Sequence, residues 1–135
     1  MIIIRTATEA DLPFLEKNDR HIRLSELKAL IGQSRILLAE MDGETVGWLR
    51  WSLFWDNTPF MNMLYFLESY RGKGHGRQIV EYWENQMRQA GYDSVMTSSL
   101  SDEQAQHFYR KLGYVDSGSL LLPGEALEII FTKRI

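Results

Sequence analysis

The chain has 135 residues, 44% of them hydrophobic, with 15 Lys and Arg against 18 Asp and Glu and a formal net charge of −3. That length suits one domain over residues 1–135, and the charge gives no general attraction to nucleic acid or to an anionic membrane. The absence of cysteine excludes a disulfide framework, a thiolate metal site and a cysteine nucleophile, and it fits a reducing, cytoplasmic setting.

In chain order, the apolar start Met1-Ile2-Ile3-Ile4 is interrupted by Arg5 and followed by Glu9 and Asp11. It is far short of a secretory or membrane-spanning segment and reads as a first strand over residues 2–5. Thr8 and Asp11 have the spacing of a capping signal, opening a helix with Pro13 in its first turns and Leu12 and Leu15 inward. A second helix is expected over residues 23–31. Gly32 and Ser34 then punctuate, and two strands, 35–41 and 44–54, meet through Asp42-Gly43, a strong two-residue hairpin signal. The stretch 56–59, Asp-Asn-Thr-Pro, is expected to break the pattern before a strand over 61–67.

A helix is expected over 77–90, with Ile79, Val80, Trp83, Met87 and Ala90 recurring on one face and Gly91 as its carboxyl-terminal cap. A strand over 93–98, a helix over 102–112 capped by Gly113, and a closing pair over 114–121 and 127–133 complete the chain. The expected class is α+β: a mixed, mostly antiparallel sheet flanked by helices.

The most informative stretch is Tyr70-Arg71-Gly72-Lys73-Gly74-His75-Gly76, a glycine-rich turn running straight into the helix that begins near Arg77. The first turn of a helix has backbone N–H groups without intrahelical partners and carries the positive end of the macrodipole, so anions settle there. Gly72, Gly74 and Gly76 let a ligand approach the amides, and Arg71, Lys73 and Arg77 add positive charge. A phosphate or pyrophosphate ligand is expected. A nucleoside-triphosphate loop is excluded by spacing, since Gly74 follows Lys73 where a Ser or Thr is required. A dinucleotide fingerprint is disfavoured because G-x-G-x-G here follows an antiparallel meander instead of opening a βαβ unit.

Arg71-x-x-Gly74-x-Gly76 resembles the R/Q-x-x-G-x-G/A signature of the GCN5-related N-acetyltransferase (GNAT) family. About thirty residues on, Ala105-x-x-Phe108-Tyr109-x-Lys111-x-Gly113-Tyr114 resembles that family's A-x-x-F-Y-x-K-x-G-F/Y segment. The resemblance runs from residue 2 to residue 133. It implies a GNAT-type fold with acetyl-coenzyme A as co-substrate, its pyrophosphate held by residues 71–77, and its thioester in a cleft where the strands before and after the loop splay apart. Cofactor contacts implied are Phe66, Leu67, Arg71, Gly72, Lys73, Gly74, His75, Gly76, Arg77, Asp102, Phe108 and Tyr109. A main-chain N–H near Phe66 or Leu67 would stabilise the oxyanion, and Tyr109 would act as general acid toward the departing thiolate. Two departures are Ser69 in place of a common proline, and Asp102 in place of an asparagine that touches the cofactor. As a carboxylate, Asp102 accepts but does not donate, though it would suit the helix after it as an amino-terminal cap.

The acceptor is expected to be a primary amine on a small molecule or peptide, attacking directly, with no covalent enzyme intermediate and no metal. An amine of pKa about 10.4 is mostly protonated at neutral pH, so a base is useful. Glu68, beside the loop, is the leading candidate; Glu40, Asp56, His21, His75 and His107 are others. The acceptor walls are expected at residues 17–27 and in the aromatic stretch Trp48, Trp51, Phe54, Trp55 and Phe60, whose rings and Asp56 could attract an amine or equally form core or a dimer surface. A homodimer is left open by the resemblance. The competing reading is a catalytically inactive acyl-coenzyme A sensor that keeps the loop and lacks turnover.

Overall fold

Alternation of buried and exposed side chains, punctuated by glycine, organises the chain into seven strands and four helices, in a computed structural model that describes residues 1–135. In order these are β1 (Ile3–Thr6), α1 (Leu12–Asn18), α2 (Leu24–Gly32), β2 (Ile36–Met41), β3 (Glu44–Phe54), β4 (Thr58–Phe66), α3 (His75–Gln89), β5 (Ser94–Leu100), α4 (Ala105–Lys111), β6 (Val115–Leu120) and β7 (Glu128–Arg134). The strands form a seven-stranded sheet in the order β1-β2-β3-β4-β5-β7-β6. The β1·β2, β2·β3, β5·β7 and β6·β7 pairs are antiparallel, and β4·β5 is parallel. The parallel ladder consists of Phe60 opposite Met96 and Met61 opposite Thr97.

Two hairpins carry the meander, and only one has an obvious turn signal. Asp42 and Gly43 take left-handed backbone conformations, φ 52° and 81°, as the expected turn requires. The β3–β4 turn is Trp55-Asp56, also left-handed at both residues, φ 54° and 57°, and closed by Asn57 N–H donating to Phe54 O at 3.1 Å. The expected break at 56–59 is therefore corrected. The turn takes three residues, 55–57, and Thr58 and Pro59 already belong to β4.

The chain divides into two compact units, residues 1–52 with 63–83, and residues 53–62 with 84–135. In the first, one face of β2 and β3 buries Ile36, Leu38 and Trp48 against Leu15, Leu27, Leu30 and Ile31 of α1 and α2. Trp51, on the other face of β3, meets Trp83 of α3 with ring centroids 6.3 Å apart. A buried ion pair ties the α1–α2 connection to β3: Arg50 Nε donates to Asp19 Oδ2 at 2.7 Å, and Trp48 Nε1 donates to the same oxygen at 3.1 Å. Arg5 makes two hydrogen bonds to the Asp11 carboxylate, 2.8 and 2.7 Å, and reaches Glu40 at 3.2 Å. Asp11 also accepts from Thr8 N–H at 2.8 Å, the capping pair that the sequence announced.

In the second unit, β5 and β7 send Val95, Thr97 and Phe131 to one face, where Tyr109 of α4 and Tyr114 pack. Glu84 of α3 is buried there. It accepts from the Tyr114 hydroxyl at 2.8 Å and from Lys133 Nζ at 2.9 Å. Ala90, expected on the inward face of α3, is exposed, while Ile79, Val80, Trp83 and Met87 are buried as their spacing requires. Gly91 ends α3 with φ 96°, and Tyr92 N–H returns to Met87 O at 3.1 Å.

Candidate active site

The glycine loop lies in the first unit. Gly72 and Gly74 adopt φ 73° and 84°, conformations that L side chains rarely take, and a Cβ at either would meet nothing within 4 Å. The loop thus turns on glycine while leaving its surface open for a ligand to approach. The helix starts two residues before its expected boundary, at His75, and Gln78 N–H closes its first turn on Gly74 O at 3.2 Å. Gly76 sits in that first turn, where helical N–H groups have no intrahelical partner. The amides of residues 75–77 and the positive end of a 15-residue helix converge on the loop.

The charged side chains around the loop differ in how they are held. Arg71 donates from Nε to Phe66 O at 2.7 Å and lies 5.0 Å from the centre of the Tyr65 ring. Lys73 is exposed. Arg77 pairs with Glu81 at 2.6 Å one turn along α3, and both are exposed. His75 stacks toward Phe66, centroids 6.1 Å apart, with Nδ1 3.3 Å from Gln78 Oε1.

Of the two main-chain donors expected near the end of β4, Leu67 is removed: its N–H is committed to Val46 O at 2.9 Å. Successive residues of a strand direct their backbone groups to opposite sides. Phe66 N–H therefore points away from β3, as does the Phe66 carbonyl that Arg71 engages. Glu68 lies beyond the strand, in a short 3-10 turn over Glu68–Tyr70, and is exposed. Alternation along β4 therefore does not decide where its carboxylate faces.

Tyr109 lies in the second unit, on α4, and is 6% exposed. Its phenol hydrogen-bonds Thr97, whose hydroxyl donates to Met61 O at 2.9 Å. Met61 and Thr97 form the last rung of the β4·β5 ladder, so Tyr109 stands beside the point where parallel pairing ends. Burial pushes the Tyr109 phenol up to about 12; the Thr97 hydrogen bond works the other way and the Glu103 carboxylate adds to the rise. Burial, with Glu84 beside it, raises the Tyr114 phenol as well. Phe108 is half-buried and meets Tyr109 edge-on at 5.4 Å. Asp102 is exposed and is not a cap, because α4 begins at Ala105 and Gln104 occupies the capping position.

The other candidate bases are spread apart in role. Glu40 is engaged with Arg5, Asp56 forms the β3–β4 turn, and His21 and His107 are exposed. The expected aromatic wall does not form as one surface. Trp48 and Trp51 are core residues on opposite faces of β3, whereas Phe54 associates with Trp55 and Phe60, centroids 4.6 and 5.9 Å away. Sequence reasoning missed Thr97, which joins Tyr109 to Met61 O 36 residues away from it, and Glu84, whose partners lie 30 and 49 residues away in sequence.

The sequence matches the Acetyltransferase (GNAT) family over residues 4–114. Solved structures share the fold. A GNAT-family acetyltransferase from Bacillus cereus is 21% identical, with a TM-score of 0.80, over 99% of this chain and 97% of that one. A streptothricin acetyltransferase, so described provisionally, from Bacillus anthracis in complex with acetyl coenzyme A is 16% identical with a TM-score of 0.84, covering 100% of both chains. The PaiA N-acetyltransferase from Thermoplasma acidophilum, in complex with coenzyme A, is 17% identical with a TM-score of 0.80, over 100% and 99%. No curated protein matches the sequence. The chain belongs to the GNAT family and is an N-acetyltransferase. No helix is long and apolar enough to cross a membrane.

Proposed function

We propose that this enzyme, as one domain, acetylates a primary amine of a small molecule or peptide by direct attack on the thioester. The observation that carries the reading is the glycine loop, left-handed at Gly72 and Gly74 and opening onto the first turn of α3. Amides of residues 75–77 bind the pyrophosphate, with exposed Lys73 as a counter-charge and Arg71 bracing the loop against β4. Phe66 N–H, pointing away from β3, donates to the developing oxyanion, and backbone groups on that side of β4 pair with the amide-like pantetheine arm.

Tyr109 hydrogen-bonds the departing sulfur. Glu68, exposed at the turn after β4, takes the ammonium proton directly or through water. Phe108 and Asp102 flank the cofactor from the α4 side. A cytoplasmic setting and a homodimer are part of the same reading, and nucleic acid is not a partner because the net charge of −3 provides no basic field.

Calorimetric titration with acetyl-coenzyme A, against dephosphorylated pantetheine as control, tests the assignment. Micromolar binding that requires the pyrophosphate and is abolished by Gly74→Glu supports it. No binding by folded protein, or unchanged affinity in Gly74→Glu, overturns it.

A further inference from the structure

The second unit carries a cavity of about 570 Å³ on the sheet face opposite Tyr109. Along β5, Ser94 and Met96 line it while Thr97, the partner of Tyr109, projects to the other face. On β7, Ile130 and Thr132 line it while Phe131 packs with Tyr109. The cavity is therefore not the place where Tyr109 acts.

Its walls have a consistent chemistry. Phe54, Trp55, Met96 and Ile130 supply apolar surface; five of the other lining residues are serine or threonine, and the tenth is Gly118. No lining residue is ionisable. A charged ligand would lose hydration with no compensating partner, whereas an uncharged one can place a ring on the aromatic residues and its polar atoms on the hydroxyls. The volume lies within the range of small-molecule sites.

A second, independent observation falls on the same cavity. Trp55 holds a left-handed backbone, φ 54°, in a turn that favours Asn or Gly, and leaves 86% of itself exposed. A bulky ring kept in a disfavoured conformation at the cavity mouth is poorly explained by folding. We infer that this cavity is a binding site, distinct from the acetyl-transfer site, for an uncharged ligand that combines an aromatic ring with amide or hydroxyl groups.

Acetanilide is a suitable probe, with benzoate and benzylamine as charged counterparts of similar size, each titrated calorimetrically into the full chain. Trp55→Ala removes the platform. Gly118→Leu fills the cavity from an edge-strand position where a Cβ meets nothing within 4 Å. Thermal melting confirms that both variants fold. Acetanilide binding that is weakened at least about tenfold by each variant, with benzoate and benzylamine binding more weakly, supports the site. The inference is overturned if acetanilide fails to bind, if the charged probes bind equally well, or if neither folded variant changes affinity. It is equally overturned if sedimentation shows a dimer that Trp55→Ala dissociates, since a second copy would then cover the cavity.

Discussion

In the proposed reaction Tyr109 meets a departing thiolate with a phenol that burial holds at about 12. Against a thiol pKa of about 8.5, full proton transfer would be uphill by roughly 5 kcal/mol, so the phenol acts by hydrogen bonding and the thiolate leaves charged. A hydrogen bond to a developing charge is worth about 1.5–3 kcal/mol, so Tyr109→Phe should lower kcat by about 10- to 150-fold with little change in acetyl-coenzyme A affinity. Single-turnover kinetics beside calorimetry separates the two. The phenol should also give the rate no alkaline limb until near its own titration at about 12. The sequence singled out Tyr109 through its motif, but Thr97, which positions it, looks like any strand threonine. Asp19 is equally inconspicuous, a charged residue in a charged stretch, until Arg50 is brought to it. Truncating it leaves a buried guanidinium unpaired, and Asp19→Ala should cost about 3–5 kcal/mol in denaturant unfolding.

Elements were legible where their signals are local. Asp42-Gly43 specifies its turn by itself, and the spacing of Ile79, Val80, Trp83 and Met87 specifies the buried face of α3. The β3–β4 turn was misplaced because Trp55, unlike Asp56, is not a residue that makes a left-handed turn inexpensive. That mismatch is measurable: replacing the pair with Asn-Gly should raise stability by about 1–2 kcal/mol, seen as an increase in Tm. On the neighbouring element, Gly47 looks like an ordinary strand glycine, yet a Cβ there would lie 2.5 Å from the Phe66 ring. Gly47→Ala should therefore destabilise by about 1–3 kcal/mol and disturb the end of β4, where the proposed oxyanion donor of Phe66 lies. Thermal melting and acetyl-coenzyme A titration read the two effects.

At the scale of the molecule, acid sensitivity should reside partly in the Arg5–Asp11 pair. The Arg5 guanidinium, with its two hydrogen bonds, holds the Asp11 carboxyl below its ordinary 3.8. A group whose folded pKa is depressed contributes stability that is complete above the unfolded value and is lost as pH falls through the folded one. Tm measured from pH 6 downward should therefore fall below about pH 4, and Asp11→Asn should flatten that limb. The family and the α+β class were legible because the two motifs and the order of elements are written along the chain. What could not be read was placement across distance: which hydroxyl meets Tyr109, which carboxylate is buried, and which aromatic rings share a surface. Trp48 and Trp51 are three residues apart and face opposite sides of β3, so proximity in sequence gave no common wall.

The strand order β5-β7-β6 has a consequence for how the protein is made. β7 lies between two strands that are translated earlier. β5 pairs with it from Ser94 to Leu100, and β6 pairs with it from Val115 to Leu120. Until Glu128–Arg134 leave the ribosome, β6 has no partner and one edge of β5 is bare, open to other nascent chains. A translational stall or premature stop just before residue 128 should thus be far more hazardous to solubility than one just after residue 134, although only seven residues separate them.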